Sequence, residues 1–311
     1  MVMKYKFPET GNKPVDDLGR QFQKIAQTWN RGSIKTRYRY ADAGARFVKW
    51  VQPAFKMQKL ANMGDKHLIA YAQHLKNQGL SDKYIKNELS ALRYIHSQIP
   101  HTRHELSDSK KINTAAGLGS TPNHKAKNLD QTWTKKELDR FCVHARENGR
   151  ADLARMAEVT YHTGCRLEEV STLRRHEVEK ALRTNVLHLT NTKGGRPRSV
   201  PLSDESRRLL EASIHDVPRG AYVFVPEEVP VHSYIQGAKD YVYRNREEFQ
   251  DPSRVGDPSR TELHWHGLRH SYAQNTYSEL RDQGYEDQEA RREVSERLGH
   301  SREQITTVYL K

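Results

Sequence analysis

Apolar residues recur along most of this 311-residue chain at helical spacing, and in one later stretch the period shortens to two. A first helical stretch is predicted from about Val15 to Trp29. A second starts after Ser33, a good N-cap, with Ile34, Tyr38, Ala41, Ala45, Val48 and Val51 in helical phase, and Pro53 ends or kinks it. A third follows Asp65 with Leu68, Ala72 and Leu75 and is closed by Gly79. A fourth follows Ser81 with Ile85, Leu89, Leu92, Ile95 and Ile99 and is closed by Pro100. Each has one apolar face, enough together for a small helical core. Residues 107–130 lack apolar periodicity and are rich in Gly, Ser, Asn and Lys, a linker composition.

Helical phase resumes with a capping-box pattern at Thr134 and Glu137, then a helix through Leu153, Met156, Ala157 and Thr160 that stops at Thr163-Gly164. Leu167, Val170 and Leu173 open the next segment. The period-two stretch is Val186 to Thr190 and Arg198 to Pro201 around the turn NTKGGRP, which reads as a hairpin. Helices follow from near Ser203, around Tyr234–Phe249, from His266 and from Asp287. The expected fold class is mainly α with a small β-sheet: a helical domain over 1–107, a linker over 108–130 and an α+β domain over 131–311.

Composition narrows the function. Leu, Ile, Val and Phe make up just under a fifth of the residues, and the formal net charge is +13 from 52 Lys+Arg against 39 Asp+Glu. No apolar run approaches the ~20 residues of a membrane span, and MVMKYKFPET has no apolar h-region, so neither a membrane partner nor a secretory signal is expected. Two cysteines, Cys142 and Cys165, form no disulfide framework and fit a reducing cytoplasm. The charge is uneven: residues 1–129 hold 23 Lys+Arg against 9 Asp+Glu, and the rest hold 29 against 30. A basic domain with helical patterning points to nucleic acid, gripped first through its phosphates. Lys35, Arg37 and Arg39 on the second helix and Lys83, Lys86 and Arg93 on the fourth are the candidate DNA contacts.

The near-neutral second half carries the candidate chemistry. Arg166 lies at a helix start, where backbone N–H groups and the dipole favour an anion. Lys193 lies in the hairpin turn. His266, Arg269 and His270 share one face of a helix in HWHGLRH. His300 follows Gly299, and Tyr309 lies two residues from the end of the sequence. His266 and His270 also have the spacing of zinc ligands, but no CxxC or HExxH accompanies them and Arg269 between them would repel a cation, so no metal site is expected.

In order, TGCRLEEV (163–170), TKGGRPRSVPL (192–202), HGLRH (266–270) and LGH followed by Tyr309 resemble the signature blocks of tyrosine recombinases, the phage-integrase family, and the basic helical domain resembles that family's core-binding (SAM-like) domain. The resemblance implies a site-specific recombinase or integrase that cleaves and rejoins DNA through a 3′-phosphotyrosyl intermediate. Arg166 and Arg269 would clamp the phosphate, and His266 and His300 would hydrogen-bond it. Lys193 would protonate the leaving 5′-oxygen, and Tyr309 would be the nucleophile. Glu169 would orient Arg166 or the helix packing, and His270 would assist beside Arg269. No cofactor, metal or ATP is expected. The implied partners are duplex DNA with recombination sites, further copies of the chain in a tetramer, and accessory DNA-bending proteins, in a bacterial cytoplasm at the nucleoid. A type IB topoisomerase is the rival with the same chemistry, and a non-catalytic DNA-binding regulator the rival without it. Two departures stand out. Only Leu310 and Lys311 follow Tyr309, whereas many family members carry a tail helix that docks on a neighbouring subunit; either this chain is cut short or its subunits communicate by another route. A charged insert, SELRDQGYEDQEARREVSER, lengthens the stretch from Arg269 to His300; it reads as a surface helical hairpin or a protein contact, and its polarity favours the surface hairpin.

Overall fold

The computed structural model describes residues 3–30, 32–119, 129–192, 195–300 and 309–310. The chain divides between residues 123 and 124 into two compact units. Among the described residues helices dominate both, and the second also holds a two-stranded sheet.

The first unit is built on α1 (Lys13–Gln27), α2 (Ile34–Phe55), α3 (Asp65–Asn77) and α4 (Asp82–Ser97). Ser33 and Ser81 cap α2 and α4, their hydroxyls accepting from Thr36 N–H and Tyr84 N–H, each satisfying one of the four open amides of a helix start. Pro53 neither ends nor breaks α2, which runs on to Phe55. Gly44 lets α2 close onto the core: a Cβ there would lie 2.2 Å from the Phe22 ring. Arg46 on α2 forms a two-point bond to Glu88 on α4, at 3.1 and 2.7 Å.

Three features were not read from periodicity. Met3, Tyr5 and Phe7 are buried in this core; alternating with exposed Lys4 and Lys6, they are an extended segment too short to register as a strand. Arg37 is buried as well. The packed face of α2 runs through Arg37, Ala41, Gly44, Ala45, Val48 and Val51, while Ile34 and Tyr38 stay exposed. The third lies in the stretch read as linker, where residues 109–115 form α5 (Ser109–Ala115). Ile112 and Leu118 anchor it in the first unit's core, and two anchors make no repeat to detect.

The second unit runs α6 (Lys135–Glu147), α7 (Ala151–Thr163), α8 (Leu167–Ser171), α9 (Arg175–Thr184), β1 (Val186–Leu189), β2 (Arg198–Pro201), α10 (Asp204–Ile214), α11 (Val231–Phe249), α12 (Trp265–Asp282) and α13 (Asp287–Leu298). Thr134 and Glu137 form the capping box of α6. The strands are antiparallel, with Leu187 opposite Val200 and Leu189 opposite Arg198. Trp133, Phe141 and Phe249 make an aromatic centre, Trp133 stacked on Phe249 at 5.6 Å. The charged insert falls in the second half of α12 and in α13, and Ala290, Val294 and Leu298 bury one face of α13. No helix among the described residues is long and apolar enough to cross a membrane.

Candidate active site

The site grows from the end of α7. Gly164 closes that helix with φ +61°, and a Cβ there would lie 2.3 Å from the Tyr272 ring, so glycine is required twice over. Its carbonyl turns inward and accepts N–H bonds from both Arg269 and Arg198. Two residues on, Arg166 occupies the N-cap position of α8. Glu169 grips it twice: one carboxylate oxygen accepts the Arg166 backbone N–H and the other its Nη1, each at 2.7 Å. Arg198 Nη2 donates to the same carboxylate at 2.6 Å. Burial pushes the Glu169 carboxyl up, but the Arg198 charge and these bonds outweigh it, and the group is held below its ordinary value.

α12 presents His266, Arg269 and His270 from its first two turns. His264 caps it, accepting from Gly267 N–H. Ser271 fixes the helix start, donating to the Trp133 carbonyl at 3.0 Å and accepting the Trp133 N–H at 2.8 Å. Arg269 is 1% exposed. It donates to the carbonyls of Gly164 and Leu298, and its Nη2 lies 3.4 Å from His300 Nε2. Its Nε is buried without a hydrogen-bond partner among the described residues. Burial, then the charges of Arg198 and Arg166, lower its pKa to about 10. Arg166 and Arg198 thus bond one buried carboxylate, and Arg269 lies near enough to feel its charge, a local excess of positive charge that favours an anion.

Tyr309 completes the cluster. Its hydroxyl lies 3.0 Å from His266 Nε2. Its ring stacks on His270 at 4.0 Å and tilts against His300 at 4.9 Å. His270 and His300 are both pushed down to about 3, each by burial first, then by His266 in the one case and Arg269 in the other. Both imidazoles are therefore neutral at pH 7. A cleft of about 300 Å³ has Arg166, His266, Arg269 and Lys239 of α11 in its lining.

Arg166, Glu169, His266, Arg269, His270, His300 and Tyr309 are thus brought into one neighbourhood. Lys193 lies outside the described residues. Arg198 and Lys239 were not singled out from sequence. For Arg198 a signal existed, since it is in phase with Val200 on the inward face of β2; Lys239 offered none. Among the described residues no three His, Cys, Asp or Glu side chains are grouped to hold a metal ion.

In the first unit, Lys35, Arg39 and Lys83 are exposed. Arg37 is not: it turns inward and donates to the Trp29 carbonyl at 2.9 Å, because position 37 lies on the packed face of α2. Lys86 and Arg93 are half-buried and donate to the carbonyls of Gly119 and Ser107, holding the segment around α5 against α4.

The phage integrase family model matches residues 131–311, and that of the phage integrase N-terminal domain matches residues 15–104. No curated protein matches the chain. Among solved structures, the Tn1549 transposon integrase in complex with transposon right end DNA is similar at TM-score 0.60 and 13% identity, covering 93% of each chain. A lambda integrase dimer bound to a COC′ core site is similar at 0.60 and 16%, covering 94% of each. The XerH site-specific recombinase bound to difH substrate is similar at 0.58 and 17%, covering 99% of this chain and 95% of that one. At these identities the likeness is one of fold.

Proposed function

Because the chain belongs to the phage integrase family, the tyrosine recombinases, we propose that it is a site-specific DNA recombinase that breaks and rejoins strands through Tyr309. The observation that carries this reading is the Tyr309 hydroxyl 3.0 Å from His266 Nε2, in the same cluster as Arg269 and His300. The Tyr309 oxygen attacks the scissile phosphorus and passes its proton to His266. The P–O bond to the 5′-oxygen breaks, and Lys193 protonates that oxygen. The products are a 3′-phosphotyrosyl link and a free 5′-hydroxyl. One phosphoester replaces another, so the link keeps the energy needed for rejoining and no nucleotide is consumed. Arg166 and Arg269 stabilise the charge that builds on the non-bridging oxygens, and neutral His300 adds a hydrogen bond without competing for that charge. These cations supply what a divalent ion would supply elsewhere. Exchange between two duplex sites requires four cut strands, hence four tyrosines and an assembly of four copies.

The test starts with sheared DNA from the protein's source, incubated with it in EDTA and then denatured with SDS. Protein-linked fragments are expected, and their junctions locate the cleavage site. A nicked duplex of that site, which loses its 5′ end on cleavage, then traps the adduct. Tyr309→Phe should abolish the adduct and leave DNA binding intact. An adduct that persists in the Phe variant overturns the assignment of the nucleophile. Relaxation of a supercoiled plasmid without recombinant products would mark a topoisomerase instead.

A further inference from the structure

Arg198 occupies an inward position of the hairpin, opposite Leu189 and one pleat from Val200, where an apolar residue would be expected. Its side chain is 2% exposed. Its N–H groups reach three elements: the Glu169 carboxylate on α8 at 2.6 Å, the Gly164 carbonyl at the end of α7 at 3.2 Å, and the Arg297 carbonyl in α13. Each attachment is next to a residue of the site. The other oxygen of Glu169 holds Arg166. The Gly164 carbonyl also accepts from Arg269. Beside Arg297, Gly299 turns with φ +63°, and a Cβ there would lie 2.6 Å from Arg198 Cδ, so the turn that delivers His300 is built against this side chain.

We propose that Arg198 is a positioning residue of the strand-cleavage reaction, fixing Arg166 through Glu169, Arg269 through the Gly164 carbonyl and His300 through the turn at Gly299. The proposal rests on the functional reading above. Arg198 itself does not touch the phosphate. It sets how two permanently charged forks face it, and a clamp displaced by about 1 Å loses much of its effect on the transition state. A purely structural pair looks different. Arg254 and Glu137, both fully buried in the same unit, bond each other at two points. Among the described residues the other partners of Arg254 are the Thr132 and Thr261 carbonyls, and none of these bonds goes to a residue of the cluster.

The experiment compares adduct formation, under single turnover, on two nicked duplexes of the site. One carries the ordinary scissile phosphate. In the other a methyl replaces one non-bridging oxygen, so the reacting centre is neutral and demands less from a cationic clamp. Arg198→Lys keeps a cation in the buried site but cannot reach all three partners. It is expected to slow the ordinary substrate about 100-fold and the methylphosphonate less than about tenfold, with DNA affinity unchanged. Glu169→Gln, which keeps the shape and removes the shared charge, should show the same difference and serves if the Lys variant does not fold. Arg254→Lys is the control, expected to lower the melting temperature and to leave the ratio of the two rates as in wild type. Equal slowing on both substrates, or none on either, overturns the role of Arg198. A wild-type protein that forms no adduct on the ordinary substrate overturns the functional reading itself.

Discussion

The Tyr309 ring lies nearly parallel to the His270 imidazole, with centroids 4.0 Å apart and 16° between the planes. His270 is 4% exposed and stands one residue after Arg269 and four after His266. The two helical turns that carry Arg269 therefore also carry a flat seat for the tyrosine. Stacking fixes the ring plane, and with it the hydroxyl 3.0 Å from His266. His270→Ala removes the seat and is expected to slow adduct formation about 10- to 100-fold, with DNA affinity unchanged. His270→Phe restores a flat surface of similar size and should recover most of the rate. An Ala variant as fast as wild type would show that the stack does not position the nucleophile.

The same burial makes stability depend on pH. His270 and His300 are held down to about 3 in the folded protein, against an ordinary value of 6.5. Between those values the unfolded chain takes up protons that the folded one refuses. Stability therefore falls as pH drops below 6.5, by up to about 1.4 kcal/mol per unit for each group. From pH 7 to 5 the loss from buried His270 amounts to roughly 2 kcal/mol, with less from half-buried His300. Glu137 and Glu169 act lower. Both are held below their ordinary value by their arginines, so their contribution is present above the unfolded value near 4.5 and is lost only as pH falls through the folded one. Urea unfolding at pH 7 and pH 5 measures the difference, and His270→Phe should flatten it. Equal stability at the two pH values would mean that the imidazoles accept protons without unfolding.

Helix ends were the most legible part of the fold, because they are written in single residues with single jobs: Ser33, Ser81 and Thr134 accept from open amides, and Gly164 takes a positive φ. Which face of a helix packs was less legible. On α2 the pattern fits Ile34 and Tyr38 as well as it fits Arg37, and only the tertiary contact with Trp29 decides for Arg37. The segment at Met3, Tyr5 and Phe7 and helix α5 were missed because their anchors are too few to make a period. At the site, residue types in order named Arg166, His266, Arg269 and His300, which the structure brings near Tyr309, and Lys193, which lies outside the described residues. Arg198 escaped because an arginine in an alternating strand has no meaning until the inward pleat is known, and then it is the one inward residue of β2 that is not apolar.

Arg254 and Glu137 test the energetics of the second unit apart from its chemistry. Both side chains are fully buried. Glu137 also accepts the backbone N–H groups of Thr134 and Asp251, at 2.8 and 2.9 Å. It thereby joins the start of α6 to the loop after α11. Arg254→Met leaves a buried carboxylate facing an apolar side chain, and about 3–5 kcal/mol of stability should be lost in urea unfolding. A loss below about 1 kcal/mol would mean that water reaches the carboxylate in the variant and replaces the lost partner.

The excess positive charge of residues 1–129 makes a separate prediction about DNA affinity. Of the cations expected to meet phosphates, Lys35, Arg39 and Lys83 are exposed, whereas Arg37 is buried against the Trp29 carbonyl. Each phosphate contact adds about 0.9 to the slope of log affinity against log salt on duplex DNA. Replacing Lys35, Arg39 and Lys83 together by Gln should therefore lower that slope by up to about 3, as measured by fluorescence anisotropy between 50 and 200 mM salt. Arg37→Gln should instead lower the melting temperature and leave the slope as it was, since a buried guanidinium releases no counterions. If the triple variant keeps the wild-type slope, the exposed faces of α2 and α4 do not meet the DNA backbone. A reduced slope for Arg37→Gln would mean that its side chain swings outward on binding.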